Sequence, residues 1–261
     1  MGRRSGRPRA VRRAAAALGC GVVDFSRAVV AIDGPSGSGK SSTSRGVARV
    51  LGLDYLDTGA MYRAMAWFML DRGVDLDSPS AIAARAGEPV LLSTTDPAGP
   101  TISVDGLDVS APIRGEAVTG AVSAVAAVPE VRARLVELQR EAVRRSLAGG
   151  RGIVVEGRDI GSVVLPDATA KIYLTADAEA RAARRALEDA GRSGGAPPEA
   201  HDVAATAAAL AARDAIDSGR AASPLRRADG SVEVDGTYLT LDEVIATIVE
   251  IVESAAAAGG S

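Results

Sequence analysis

At 261 residues with 47% hydrophobic side chains, the chain is long enough for one sizeable core and a small insert. A net charge of −3 removes any global field for nucleic acid or an anionic membrane, and no apolar run approaches the ~20 residues that span a bilayer. One cysteine, Cys20, excludes an intrachain disulfide and a cysteine metal cluster, and one histidine, His201, excludes an HExxH zinc site or a histidine-centred triad.

Residues 1–27 stand apart. Arg3, Arg4, Arg7, Arg9, Arg12, Arg13 and Arg27 face a single acid, Asp24. The segment reads as a basic, disordered extension or an over-long start of translation; a transit peptide and a nucleic-acid-binding arm are the alternatives. From Ala28 the chain alternates strand and helix. A buried strand is predicted over Ala28–Asp33, a helix over Lys40–Leu51, a short strand over Leu53–Leu56 and a helix over Gly59–Asp71 with Met61, Met65, Phe68 and Met69 on one face. Val90–Thr94 and Thr101–Val104 are alternating β runs joined by TDPAGP, a hairpin signal, with a further short β piece at Leu107–Val109. Residues 87–114 therefore read as a small β insert. Strands follow at Ile153–Val155 and Ala170–Leu174, then a helix at Ala178–Ala190 that ends in GRSGGAPP. A helix at Val203–Ala215, a strand at Ser231–Val234 and a closing helix at Leu241–Ala257 complete the pattern. Alternation of this kind predicts an α/β fold with a parallel sheet between two helical layers. The expected division is a core of residues 28–86 and 115–258, the insert, and a lid region at about 180–215.

The strongest local signal is Gly34-Pro35-Ser36-Gly37-Ser38-Gly39-Lys40-Ser41, followed by Ser42, which matches GxxxxGK[ST] with a strand before it and a helix after it. The glycines let backbone N–H groups wrap a phosphate, and the helix offers its positive end to the same anion. Lys40 would reach the β and γ phosphates of a nucleotide and Ser41 would place a hydroxyl on Mg²⁺. Lys40 and Lys171 are the only lysines in a chain otherwise supplied with arginine. A compact ammonium fits between phosphates where a planar guanidinium does not. No guanine-reading NKxD occurs, which argues against a GTPase. A small-molecule kinase needs a second anion site opposite the loop, built from arginines on several elements. Candidates lie at the carboxyl ends of strands: Thr58, Tyr62 and Arg63 after the second strand, Glu156, Arg158 and Asp159 after Ile153–Val155. Arg213, Asp217 and Arg220 share one helix face by their spacing. Asp33 has two readings, ordering the waters of a magnesium ion or bonding local backbone N–H groups.

These stretches carry a resemblance. IDGPSGSGKSS, LDTGAMYR, residues 109–114, VSAVAAVPEVR, EGRDIGSVVLPDA, KIYLTA and RDAIDSGRAASPL together resemble the bacterial cytidylate kinases, the (d)CMP branch of the P-loop nucleoside monophosphate kinases. The resemblance implies transfer of a phosphoryl group from ATP, with Mg²⁺, to CMP or dCMP. It also implies a P-loop core with a β insert for the monophosphate and a helical lid. By matching position, Ser123, Arg132 and Asp159 read the cytosine edge, and Arg63, Arg158 and Arg220 lie near the monophosphate. Arg213 and Asp217 lie around sugar and phosphate. Thr58, Tyr62 and Arg114 fall in the same pocket, and Arg181, Arg184 and Arg185 resemble lid arginines. Lys40, Arg158, Arg213 and Arg220 are the implied catalytic set. A monomeric, cytoplasmic enzyme with no nucleic-acid or membrane partner is expected. The competing readings are a P-loop kinase for shikimate, dephospho-CoA or AMP, and a nucleic-acid-binding protein that uses the basic arm.

Overall fold

The computed structural model describes residues 24–193, 199–219 and 226–259. Five parallel strands form the central sheet: β1 (Val29–Asp33), β2 (Asp54–Asp57), β6 (Ile153–Gly157), β7 (Ala170–Thr175) and β8 (Val232–Asp235), in the order β2-β6-β1-β7-β8. β1 is central and its Val30, Ala31 and Ile32 are fully buried, which is why it reads as an unbroken apolar run. The register brings Asp33 beside Gly157 and Tyr173, and Asp57 beside Glu156. The polar ends of β1, β2 and β6 thus share one edge of the sheet, the edge where open α/β sheets bind ligands.

Two helical layers cover the sheet. On one face α1 (Lys40–Leu51) and α8 (Leu241–Gly259) bury Val47, Ile248 and Val252 with Leu53 and Tyr55. Phe25, just before the first strand, packs against this cluster. On the other face lie α2 (Thr58–Asp71), α3 (Pro79–Arg85), α4 (Glu116–Ala127) and α5 (Pro129–Ala148). Met61, Met65, Phe68 and Met69 all enter that core, as the spacing on α2 predicts. Asp57 caps α2 by accepting the Ala60 N–H at 2.9 Å. The alternating pattern assigns no element to 115–152, yet α4 and α5 fill it. α4 is apolar and alanine-rich enough to lack a polar stripe, and Pro129 sits at the first turn of α5, where its missing N–H costs nothing.

The expected insert is a three-stranded antiparallel sheet, β3 (Leu91–Ser93), β4 (Ile102–Val104) and β5 (Leu107–Asp108). Its long loop is tied to the core. Arg45 on α1 donates to the Pro97 and Ala98 carbonyls at 3.0 and 3.2 Å, and the Tyr55 N–H donates to the Thr95 carbonyl at 2.9 Å. In the lid region α6 (Ala178–Ser193) packs along α7 (Ala200–Ser218). Residues 1–23, most of the basic segment, lie outside the described residues, as does Arg220. Among the described residues no helix is long and apolar enough to cross a membrane.

Candidate active site

β1 ends at Asp33, and the chain folds back over Gly34–Gly39 to enter α1 at Lys40. A Cβ at Gly34 would lie 2.0 Å from the Leu174 carbonyl oxygen on β7, so only glycine fits. Gly37, at φ 76°, lies against the backbone of Arg181 on α6, where a Cβ would meet its carbonyl oxygen at 2.8 Å. Gly39 provides no side-chain cap, which leaves the first-turn N–H groups of α1 for an anion.

Three cations converge on this loop. Lys40 Nζ donates to the Pro35 carbonyl at 2.7 Å and lies 3.5 Å from Ser38 Oγ. The Arg158 guanidinium, arriving from the end of β6, donates to the Gly34 carbonyl and to Ser36 Oγ. Arg181 donates to the Ser36 carbonyl at 3.1 Å and pairs with Asp214 on α7, whose carboxylate also accepts the Ser36 N–H at 3.2 Å. Burial, helped by the neighbouring Arg158 charge, pushes the Lys40 ammonium below its ordinary range. Three cations against one acid, Asp214, beside an uncapped helix start form an arrangement suited to a polyanion.

The residue after Arg158 faces a different partner. Asp159 is 5% exposed and forms an ion pair with Arg132 of α5, itself 7% exposed. The Tyr62 ring lies 5.7 Å from the Arg132 guanidinium carbon, a cation–π distance. Arg132 also lies 3.5 Å from the Ala126 carbonyl at the end of α4. Ser123 is half-buried on α4, and Arg63 is half-buried on α2 beside Tyr62. Thr58 is buried, its hydroxyl donating to the Glu156 carbonyl at 2.7 Å, so it fastens the end of β6 to the start of α2. Gly157 permits that approach, since a Cβ there would strike Thr58 Oγ1. Arg114 is exposed and lines a small cleft with Asp57, Ala60 and Thr101; the lining includes neither Arg132 nor Asp159. Arg184 donates to the Gly236 carbonyl at 2.5 Å, and Arg185 pairs with Glu188 at 3.6 Å. Arg213 and Asp217 belong to α7, but their side chains lie outside the described residues. Ser41 and Ser42 are exposed on the first turn of α1.

The geometry gives one cluster of cations on the glycine loop and, one residue further along the same turn, one buried ion pair. A family model described as cytidylate kinase matches residues 30–254. The chain belongs to the cytidylate kinase family. A cytidylate kinase of Streptomyces avermitilis is 58% identical over 88% of this chain and 94% of its own. One of Streptomyces coelicolor is 59% identical over 86% of this chain and 92% of its own, and one of Nocardia farcinica 54% over 89% and 97%.

Sequence reasoning leaves one residue of this kinase's site without a role. Glu156, 3% exposed at the end of β6, accepts the Ser41 hydroxyl at 2.7 Å and the Tyr55 hydroxyl at 2.9 Å on Oε1. Its Oε2 is buried with no hydrogen-bond partner among the described residues. Burial, with the Asp57 charge beside it, pushes the Glu156 carboxyl up to about 7. The same burial and hydrogen bond hold the Tyr55 phenol well above its usual range. An orphaned carboxylate oxygen next to the P-loop hydroxyl fits Mg²⁺ or one of its waters, the pairing P-loop enzymes use. The usable signal is positional: an acid closing a buried strand opposite a GK[ST] turn.

Proposed function

We propose that this chain transfers the γ-phosphoryl group of ATP to the phosphate of CMP or dCMP, releasing ADP and CDP or dCDP. The observation that carries this reading is the split within one turn: Arg158 bonds the phosphate loop while Asp159 bonds Arg132. Donor phosphate and acceptor base are thereby held by adjacent residues.

Cytosine presents an amino donor beside two acceptors. Asp159 accepts from the amino group, Arg132 donates to the acceptors, and Ser123 adds a hydroxyl. Uracil would turn a carbonyl toward Asp159, and the resulting repulsion is a source of selectivity. The acceptor phosphate has a second pKa of about 6 and is already an anionic oxygen nucleophile at neutral pH, so no general base is needed. What remains is positioning, water exclusion and charge neutralisation. Lys40 and Arg158 hold the transferred group, and Arg181 closes the loop from the lid side. Arg63, Arg213 and Arg220 hold the acceptor phosphate, and Asp217 bonds the sugar. Thr58, Tyr62 and Arg114 frame the pocket, and Gly34–Ser42 holds the triphosphate. Ser41 and Glu156 would hold Mg²⁺, which would supply charge neutralisation. The substrates are the only partners required, and the enzyme works as a cytoplasmic monomer.

Initial rates of ADP release with ATP and Mg²⁺ test this with CMP, dCMP, UMP, AMP, GMP and shikimate as acceptors. The expected result is turnover confined to CMP and dCMP. Turnover with AMP or shikimate in their place overturns the acceptor assignment.

A further inference from the structure

Asp33 lies outside both groups of contacts described so far. It closes the central strand, is 3% exposed, and spends both carboxylate oxygens on backbone. They accept the N–H groups of Ile160 and Gly161, each at 2.8 Å, across 127 and 128 residues of sequence. These bonds are not local, as one sequence reading of Asp33 has it. Ile160 opens the π-helical turn Ile160–Val164 and directly follows Arg158 and Asp159. The next residue after Asp33 is Gly34, whose carbonyl accepts from Arg158. Three contacts therefore staple residues 33–34 to residues 158–161, where the phosphate loop begins and where the base-reading acid sits.

We propose that Asp33 is a positioning residue that fixes the base-reading turn relative to the phosphate loop, so that selectivity for the acceptor base depends on it. The proposal rests on the ATP:CMP reading above. Its chemistry follows from the acceptor count. A carboxylate offers an oxygen to each of two N–H groups, whereas a protonated carboxyl or an amide offers one oxygen and turns a donor toward the other N–H. Losing the second bond releases the start of the turn and with it Asp159. The groups facing Asp33 are Asp159 on the turn, Lys40 on α1 and Tyr173, its register partner on β7. Burial outweighs the two N–H bonds and brings the Asp33 carboxyl up to about 6.

The test uses the full chain with MgATP and compares CMP with UMP. Asp33→Asn keeps the side-chain volume. The variant is expected to raise KM for CMP and to lower the CMP-over-UMP preference by about tenfold each, the size of one hydrogen bond to a charged group. Its KM for ATP stays within about twofold of wild type on the same argument. In wild type the preference declines from pH 7 to pH 5 toward that of the variant, while the variant's own preference is flat. Ionisation of the acceptor phosphate is common to CMP and UMP and cancels from the ratio. A variant that melts lower but keeps the wild-type preference would reduce Asp33 to a structural role and overturn the proposal. So would the same pH slope in both proteins. If the variant does not fold, the wild-type profile decides alone, and a flat preference from pH 7 to pH 5 overturns it. A wild-type chain that phosphorylates neither nucleotide overturns the parent reading, which this experiment thereby separates from the inference.

Discussion

The frame of the proposed donor side is one continuous stretch of chain, Gly34 to Ser42, which opens a helix, with Arg158 and Arg181 added from the end of β6 and from α6. The proposed acceptor side is assembled from distant segments. Arg132 of α5, Tyr62 of α2 and Asp159 of the turn after β6 are in contact, and Arg63 of α2 and Ser123 of α4 are the further residues assigned to it. A phosphate can be bound by a local motif because its charge is met by any properly curved backbone. A base edge needs donors and acceptors placed individually, and those come from distant parts of the chain. The difference also appears in energetics. The loop gathers cations, whereas Arg132 and Asp159 already neutralise each other in a buried setting and, on the proposed reading, must be shared with the base.

This contrast can be broken at several points. The largest effect is expected from Lys40→Ala, which should lower kcat with CMP about a thousandfold or more, the loss typical of a lost charge stabiliser. The melting temperature should stay level or rise, because a buried cation, crowded also by Arg158, is removed. Steady-state rates and thermal unfolding read the two together; a large loss of stability would contradict the donor-side picture. On the acceptor side the balance reverses. Arg132→Met strands Asp159 as a buried charge and should cost about 3–5 kcal/mol of folding stability as well as CMP binding. Chemical denaturation decides; a melt unchanged from wild type would mean that the pair is not held in the free protein.

Glu156→Gln probes the metal-side carboxylate through pH. The folded protein holds the Glu156 proton up to about 7, while the unfolded chain releases it near 4. Between those values the folded state binds more protons, so wild-type stability falls as pH rises through that window. In EDTA the wild-type protein should therefore be best placed against the variant near pH 4 and lose about 2 kcal/mol or more relative to it by pH 7.5. A difference independent of pH would remove the raised carboxyl. The smallest effect belongs to Arg45→Ala, which unties the insert loop. Loss of two partly exposed hydrogen bonds should cost about 1 kcal/mol and speed amide exchange at Tyr55, whose N–H donates to Thr95. Unaltered exchange at Tyr55 would mean that Arg45 does not hold the loop.

Legibility in the sequence follows the same divide. The phosphate loop, the alternating core and the β hairpin are written in contiguous residues whose spacing suits those structures and few besides. α4 and α5 are not, because alanine and valine around much of α4 blur the helical period. Arg158 and Asp159 are found at a strand end, but only tertiary structure shows that they face opposite partners. Glu156 and Asp33 take their roles from bonds to Ser41, Tyr55, Ile160 and Gly161, each about a hundred residues or more away, and no local pattern encodes those contacts. Arg181 is one of three lid arginines by sequence and is distinguished by its bonds to Ser36 and Asp214.

The central claim is that one turn divides its labour between neighbours, and it is tested most directly by comparing Arg158→Ala with Asp159→Ala. Rates with CMP and UMP would be measured for both across a range of ATP concentrations up to saturation. Arg158→Ala should lower kcat with both nucleotides and keep the preference for CMP, while Asp159→Ala should lose the preference and keep the KM for ATP. Equal loss of preference in the two variants, or none in Asp159→Ala, would contradict it.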